Sequence, residues 1–351
     1  KYATPQDIFL MEASGNSFGI AEKLSNNGYQ ALVLESRSVS LTSDPANDDD
    51  KKAAQRIVQS WLSGHVPTVW RPDEKTRSLR LLLEAYLDSV TEDTRATNRL
   101  KGILNTYTIR LGKKDPRHAT TQQEILANPK WSFHERLVIQ DAIDKVNYAS
   151  QRRETLLKTI QSEVRNNKKM LACLRIEGIG VINAFAILAI IGDIKRFATA
   201  RKLASYIGIN PRSKTSGNSI NIKYGIAKHG RRDLKTLLIQ AAQTILRSRR
   251  NTKLQKWGLQ LLLRKGHRNI AVGAVARKLV HYIWHALNGR KPSEEEKKII
   301  TASKVRYTVI NMSKEELQQT PFKNKRSYQL YLCEQLKTML LDDDIPLPHL
   351  L

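Results

Sequence analysis

Residues 174–217 read LRIEGIGVINAFAILAIIGDIKRFATARKLASYIGINPRSKTSG. An apolar helical run meets Gly178-Ile179-Gly180, and a second apolar run opens at once. This is a helix-hairpin-helix pattern. Its glycines allow a tight turn whose backbone N–H groups can face a phosphate. Gly178 and Gly180 are therefore candidate nucleic-acid contacts; a plain packing turn is the other reading. Thr199 is placed to cap a helix over 200–207. Residues 208–230, rich in Gly, Ser, Asn and Lys, predict a loop or hairpin. RRDLKTLLIQAAQTIL then predicts an amphipathic helix.

The loop holds Ser213, Ser216 and Ser219 among Arg212, Lys214, Lys223, Lys228 and His229. A serine among cations can attack a phosphodiester while the developing charge is stabilised. On chemistry alone, the same residues better describe a basic loop that touches phosphates through its hydroxyls. No GxSxG elbow is present, and no His/Asp spacing picks out a base.

Charge points the same way. The chain has 351 residues, room for two or three domains. Its 59 Lys+Arg against 33 Asp+Glu give a formal charge of +26. Residues 201–290 carry 20 of the basic side chains and one acid, Asp233. That segment also has long apolar helical runs, so it predicts a folded basic domain that favours nucleic acid. No apolar run is long enough to span a membrane, and no signal-peptide pattern follows the first lysine. Cys173 and Cys333 are far apart without CxxC spacing. They predict no zinc framework and fit a reducing cytosol.

Toward the N-terminus, DIFLMEASG (7–15) and YQALVLES (29–36) predict strands flanking a helix over 17–27. Strand, helix, strand implies a parallel sheet, which needs more than two strands. The chain is expected to begin inside a domain. NDDDKKAAQRIV (47–58) reads as an acidic helix start. Helical spacing over 78–111 and 134–171, broken by a polar patch with Pro116 and Pro129, predicts an antiparallel arm, a coiled coil or a plain bundle. After 290, RKPSEEEKK predicts a charged link or helix start, 313–341 a helix, and DDDIPLPHL a solvated tail.

Three stretches together resemble the transposases and site-specific recombinases of the IS110 insertion-sequence group, related to the Piv invertases. They are LMEASGNSFGIAEKLSNNGYQALVLE, the 174–217 stretch, and KHGRRDLKTLL. The resemblance covers roughly 8–290. It implies an α/β RuvC-like (RNase H-fold) carboxylate domain over 1–75, N-terminally incomplete, and a helical or coiled-coil arm over 76–170. It also implies a mostly α serine domain with the helix-hairpin-helix over 171–290, leaving a helical extension over 291–351. Ser216 takes the nucleophile position and Glu12 that of the second carboxylate. Asp50 matches the third, in an Asp-x-x-Asp-Ala element, and Ala53 stands where the fourth belongs. Arg231, Arg232 and Lys235 match the basic helix start that follows the serine.

The family's first catalytic Asp is absent here, and Glu177 replaces a common proline. Ala53 is expected to be a substitution of a natural Asp that leaves the enzyme impaired.

The resemblance further implies Mg2+ held by carboxylates such as Glu12 and Asp50, since magnesium prefers hard oxygen ligands. It implies a covalent phosphoserine intermediate and an element-encoded guide (bridge) RNA that pairs with target and donor DNA. It implies a homo-dimer or tetramer in a prokaryotic cytoplasm, at the nucleoid. A Holliday-junction nuclease and a non-catalytic RNA- or DNA-binding protein are the alternative functions.

Overall fold

The structure is a computed structural model that describes residues 3–40, 49–214, 222–227, 229–290 and 302–338. The chain divides into two compact units, 1–75 and 76–351.

In the first unit, β1 (Ile8–Glu12) and β2 (Gln30–Leu34) pair in parallel, from Ile8 opposite Gln30 to Glu12 opposite Leu34. A parallel pair needs a crossover, and α1 (Ser17–Asn26) supplies it. Ala21, Val33 and Leu34 are buried between helix and strands. Phe9 meets Tyr29 edge-on at 5.4 Å. A short helix, α2 (Ser36–Ser40), precedes α3 (Asp50–Leu62), which packs on β1.

The second unit opens with two 33-residue helices, α4 (Glu74–Thr106) and α6 (Phe133–Arg165). At 1.5 Å per residue each spans roughly 50 Å. Asp93 meets Arg153, whereas Leu100 and Leu104 pack with Ile139, Ile143 and Val146. The two helices are therefore antiparallel. A shorter helix, α5 (Ala119–Leu126), and Trp131 close the far end. A Ser132–Glu135 capping box starts α6.

The arm carries one deeply buried carboxylate. Asp93 is 1% exposed and accepts from Arg117 Nε and Nη2 at 2.9 Å each. Arg153 Nη1 lies 2.8 Å from it as well. Two guanidiniums offset the cost of burying the charge.

The arm's base merges into a helical body. It contains α7 (Lys168–Cys173), α8 (Val181–Ile191), α9 (Ala200–Ile207), α10 (Arg232–Arg247), α11 (Lys253–Lys265) and α12 (Arg268–Leu287). Nine of the eleven residues of α8 are buried, as expected of a helix that is apolar all round. The C-terminal helices α13 (Ala302–Val309), α14 (Lys314–Gln318) and α15 (Lys325–Thr338) share this core through Val305, Val309, Tyr328, Leu332 and Leu336. Buried polar contacts lock them in place. Arg165 Nη1 donates to Thr308 O at 2.6 Å, and its Nη2 lies 2.7 Å from Glu316 Oε1. Residues 302–338 thus complete the core of the body.

Candidate functional site

The Gly178-Ile179-Gly180 turn joins α7 to α8. Gly178 has φ +75°, and a Cβ there would fall 2.8 Å from Ile245 Cδ1 and 3.2 Å from Ala241 O. Close packing on α10 therefore requires this glycine. Gly180 is the N-cap of α8 and makes no side-chain cap bond. The turn edges a cleft of about 270 Å3, also lined by Ser248, Arg250 and Lys304. Lys304 Nζ donates to Ile176 O at 2.6 Å and also to Leu174 O. Burial, with Arg250 nearby, pushes its pKa down to about 7. Glu177 is buried beside it, and Thr252 Oγ1 lies 2.7 Å from both of its oxygens.

Beyond α9 the chain forms an antiparallel hairpin, β3 (Pro211–Lys214) and β4 (Ile222–Ile226), with a bulge between Pro211 and Arg212. Arg212 pairs with Tyr224, Ser213 with Lys223, and Lys214 with Ile222. Ser216, Ser219 and Lys228 lie outside the described residues.

The hairpin's base is closely held. Gly208 ends α9 in the left-handed region, φ +83°. A Cβ on it would stand 2.0 Å from His229 O. Gly230, φ +96°, would place a Cβ 2.7 Å from Gly208 N. Ala227 N donates to Asn210 O at 3.0 Å, and Arg231 N to Tyr206 O at 3.3 Å. Lys235 Nζ donates to Ala227 O at 3.1 Å and to His229 O at 3.2 Å. Arg277 Nη2 donates to Ile209 O at 3.3 Å.

Of the basic residues singled out in the sequence, Lys235 thus ties the exit strand to α10. Arg231 pairs with Asp233 at 2.8 Å. Burial opposes charge on Asp233, yet the Arg231 guanidinium holds its carboxyl below the usual range. Arg232 and His229 are exposed. Lys235 and Arg277 as ties to backbone carbonyls were not legible in sequence, because nothing in the spacing marks which carbonyl a cation will meet.

In the first unit, Glu12 ends β1 and is half-buried. Asp49 is the N-cap of α3, its carboxylate accepting from Lys52 N at 2.7 Å. Asp50 is the first helical residue and is exposed. Ala53, half-buried, donates its N–H to Asp49 O at 2.8 Å. Asp49 is therefore used in capping, and Asp50 is the next carboxylate along α3. Among the described residues, no three of His, Cys, Asp and Glu come together as a metal-holding group. No helix among them is long and apolar enough to cross a membrane.

A family model described as Transposase IS116/IS110/IS902 family matches residues 172–256. That span runs from α7 through the helix-hairpin-helix turn and the hairpin into α11. A probable family 20 transposase of Pseudomonas aeruginosa is 25% identical over 81% of this chain and 85% of its own length. The transposase for insertion sequence element IS1111A of Coxiella burnetii is 26% identical over 69% of this chain and 67% of its own. A pilin gene-inverting protein of Moraxella lacunata is 29% identical over 34% of the chain and 37% of its own length. Residues 172–256, in the body of the second unit, thus match the IS116/IS110/IS902-family transposase model, and the chain is similar to transposases over about four-fifths of its length.

Proposed function

We propose that this chain is a DNA transposase or site-specific recombinase that acts through Ser216 and is guided by an RNA. One observation carries the reading. The transposase match over 172–256 includes the hairpin whose base is pinched by Gly208 and Gly230. A loop anchored so firmly at its base is suited to presenting a nucleophile. The serine attacks a DNA phosphodiester; an Oγ–P bond forms as one bridging P–O bond breaks. The hydroxyl proton passes to a base or water, and the departing oxygen takes up a proton. A hydroxyl on another strand then reverses the step, joins to phosphorus and regenerates the serine. No net hydrolysis occurs, so strands are exchanged.

In the first unit, Glu12 and Asp50 would be the side chains to hold a magnesium ion, with Ala53 contributing no oxygen. Two carboxylates are a sparse donor set, and water would fill the remaining positions. Such an ion would stabilise charge on transferring phosphate oxygens. The charge of +26 favours polyanions, and a structured RNA alongside DNA would account for it better than one duplex would.

Sequencing the nucleic acid that co-purifies with the chain tests the guided reading. A discrete RNA with loops complementary to two DNA sites is expected. Random fragments, together with strand exchange that needs no RNA, would rule guidance out.

A further inference from the structure

The C-terminal helices carry a cleft of their own, apart from the serine hairpin. It opens between α13 and α15 and has a volume of about 560 Å3. Arg306, Val309 and Ile310 line one side; Lys325, Arg326 and Leu330 line the other. Ile310 N donates to Arg306 O at 2.9 Å, so the helical spiral brings this pair to one face. Arg326 and Leu330, also four residues apart, share a face of α15 in the same way. The walls are anchored from behind. Val309, Tyr328 and Leu332 are buried in the core of the body, and Phe322 stacks on Tyr328 at 5.2 Å. Lys325 Nζ donates to Ile310 O at 2.9 Å, which ties the two sides together at the mouth.

The surface of the cleft is mixed. Arg306 and Arg326 are exposed, and neither is paired with a carboxylate among the described residues. No described carboxylate lines the cleft. Ile310 and Leu330 are 43% and 53% exposed and offer apolar surface beside the two guanidiniums. Like charges held without a counterion favour an anion, and the guanidinium fork suits phosphate oxygens. A bare anion would leave the aliphatic walls in water, whereas a nucleotide brings a base to cover them. A base inside a duplex is stacked and offers only its edge. An unpaired one can turn its face to a side chain, and the loops and bulges of a folded RNA supply such bases.

We propose that this cleft binds an unpaired nucleotide of a structured RNA. Arg306 and Arg326 take the phosphates that flank it, and Ile310 and Leu330 lie against its base. The proposal rests on the RNA-guided reading above. It gives residues 302–338 a binding role beyond completing the core, outside the 172–256 transposase match.

The test uses the full chain and a labelled RNA stem–loop with an unpaired purine loop, in a salt titration. The blunt RNA stem without its loop and a DNA stem–loop of the same sequence are the parallel arms. The double variant Arg306→Gln, Arg326→Gln is expected to weaken stem–loop binding by about 10-fold and to reduce the salt slope by about one. Leu330→Ser removes apolar surface but no charge, so it should weaken binding about 3-fold at an unchanged slope. Both losses should be larger on the RNA stem–loop than on either parallel arm. All three side chains are exposed, so the variants should melt with the wild type. Leu330→Ser still reads the site if the double variant folds poorly. Wild-type affinity and slope in the folded variants would overturn the site. Equal losses on stem and stem–loop would overturn the unpaired nucleotide, and a matching loss on the DNA stem–loop would overturn the assignment to RNA. A wild-type chain without affinity for either RNA would instead overturn the guided reading on which the site depends.

Discussion

Gly208 and Gly230 touch backbone to backbone, so close that a Cβ on Gly230 would stand 2.7 Å from Gly208 N. Both have φ in the left-handed region, +83° and +96°. The hairpin enters through one and leaves through the other. Its base is therefore narrow for steric reasons that no side chain can satisfy.

Gly208→Ala should be among the most damaging single changes in the body. The methyl would meet His229 O at 2.0 Å, and the left-handed backbone adds about 1 kcal/mol of strain. Gly266 is the natural control: its φ is +66°, but nothing lies within 4 Å of a Cβ there. Thermal unfolding should show a loss of about 1 kcal/mol for Gly266→Ala and a loss several times larger for Gly208→Ala. Equal losses would mean that the close approach is not maintained in solution.

Lys304 predicts a pH dependence. Its folded pKa, about 7, lies below the ordinary lysine value of 10.5. The unfolded chain then binds more protons between those values, so stability rises as pH climbs above about 7. Below pH 7 the amine is charged in both states and the full penalty of burial applies. Cys173, pushed up to about 12 by burial, works in the opposite direction above the ordinary thiol value of 9.0. The clean window is therefore pH 7 to 9. There the chain should gain up to roughly 2 kcal/mol, and Lys304→Met should flatten the rise. Chemical denaturation at several pH values reads this directly, and an unchanged slope in the variant would refute it.

Residues 302–338 should prove inseparable from the body. Truncation before Ala302 would bare Leu174 and Ile176 carbonyls and leave the Arg165 guanidinium, 3% exposed, without Thr308 O and Glu316. Arg165→Ala alone is expected to cost about 2 kcal/mol, since it leaves Thr308 O without its buried donor, whereas Glu316 keeps contact with solvent. Limited proteolysis should find the intact chain resistant and the truncated one labile. A truncated chain with an unaltered melting temperature would contradict the packing.

If the proposed magnesium site exists, Ala53→Asp is expected to tighten binding by about an order of magnitude, because it would add a carboxylate one helical turn from Asp50. Calorimetric titration of the two chains with Mg2+ provides the check. Identical affinities would remove Ala53 from any metal site.

Much of the secondary structure was legible in the sequence. The strand, helix and strand of residues 8–34 announce themselves by continuous apolar runs around a Gly-containing turn. The two long helices announce themselves by heptad-like spacing, and Thr199 caps α9 as its position suggests, accepting from Lys202 N at 3.3 Å. What escaped the sequence was mostly polar. Asp93 lies in a stretch that reads as solvated helix, and only the fold brings Arg117 and Arg153 to it. Helix α5 hides in a segment whose prolines and polar residues suggest a loop. In the first unit, the three aspartates look alike in sequence. The structure separates Asp49, which caps, from Asp50, which does not.

The central claim is covalent chemistry at Ser216. The most direct test is to trap the chain on a labelled DNA substrate with the RNA that co-purifies with it and Mg2+, in the Ala53→Asp background, and to look for a denaturation-resistant protein–DNA adduct. The account predicts an adduct that maps to Ser216 and disappears in Ser216→Ala while DNA binding persists. Normal cleavage and joining by Ser216→Ala would contradict it.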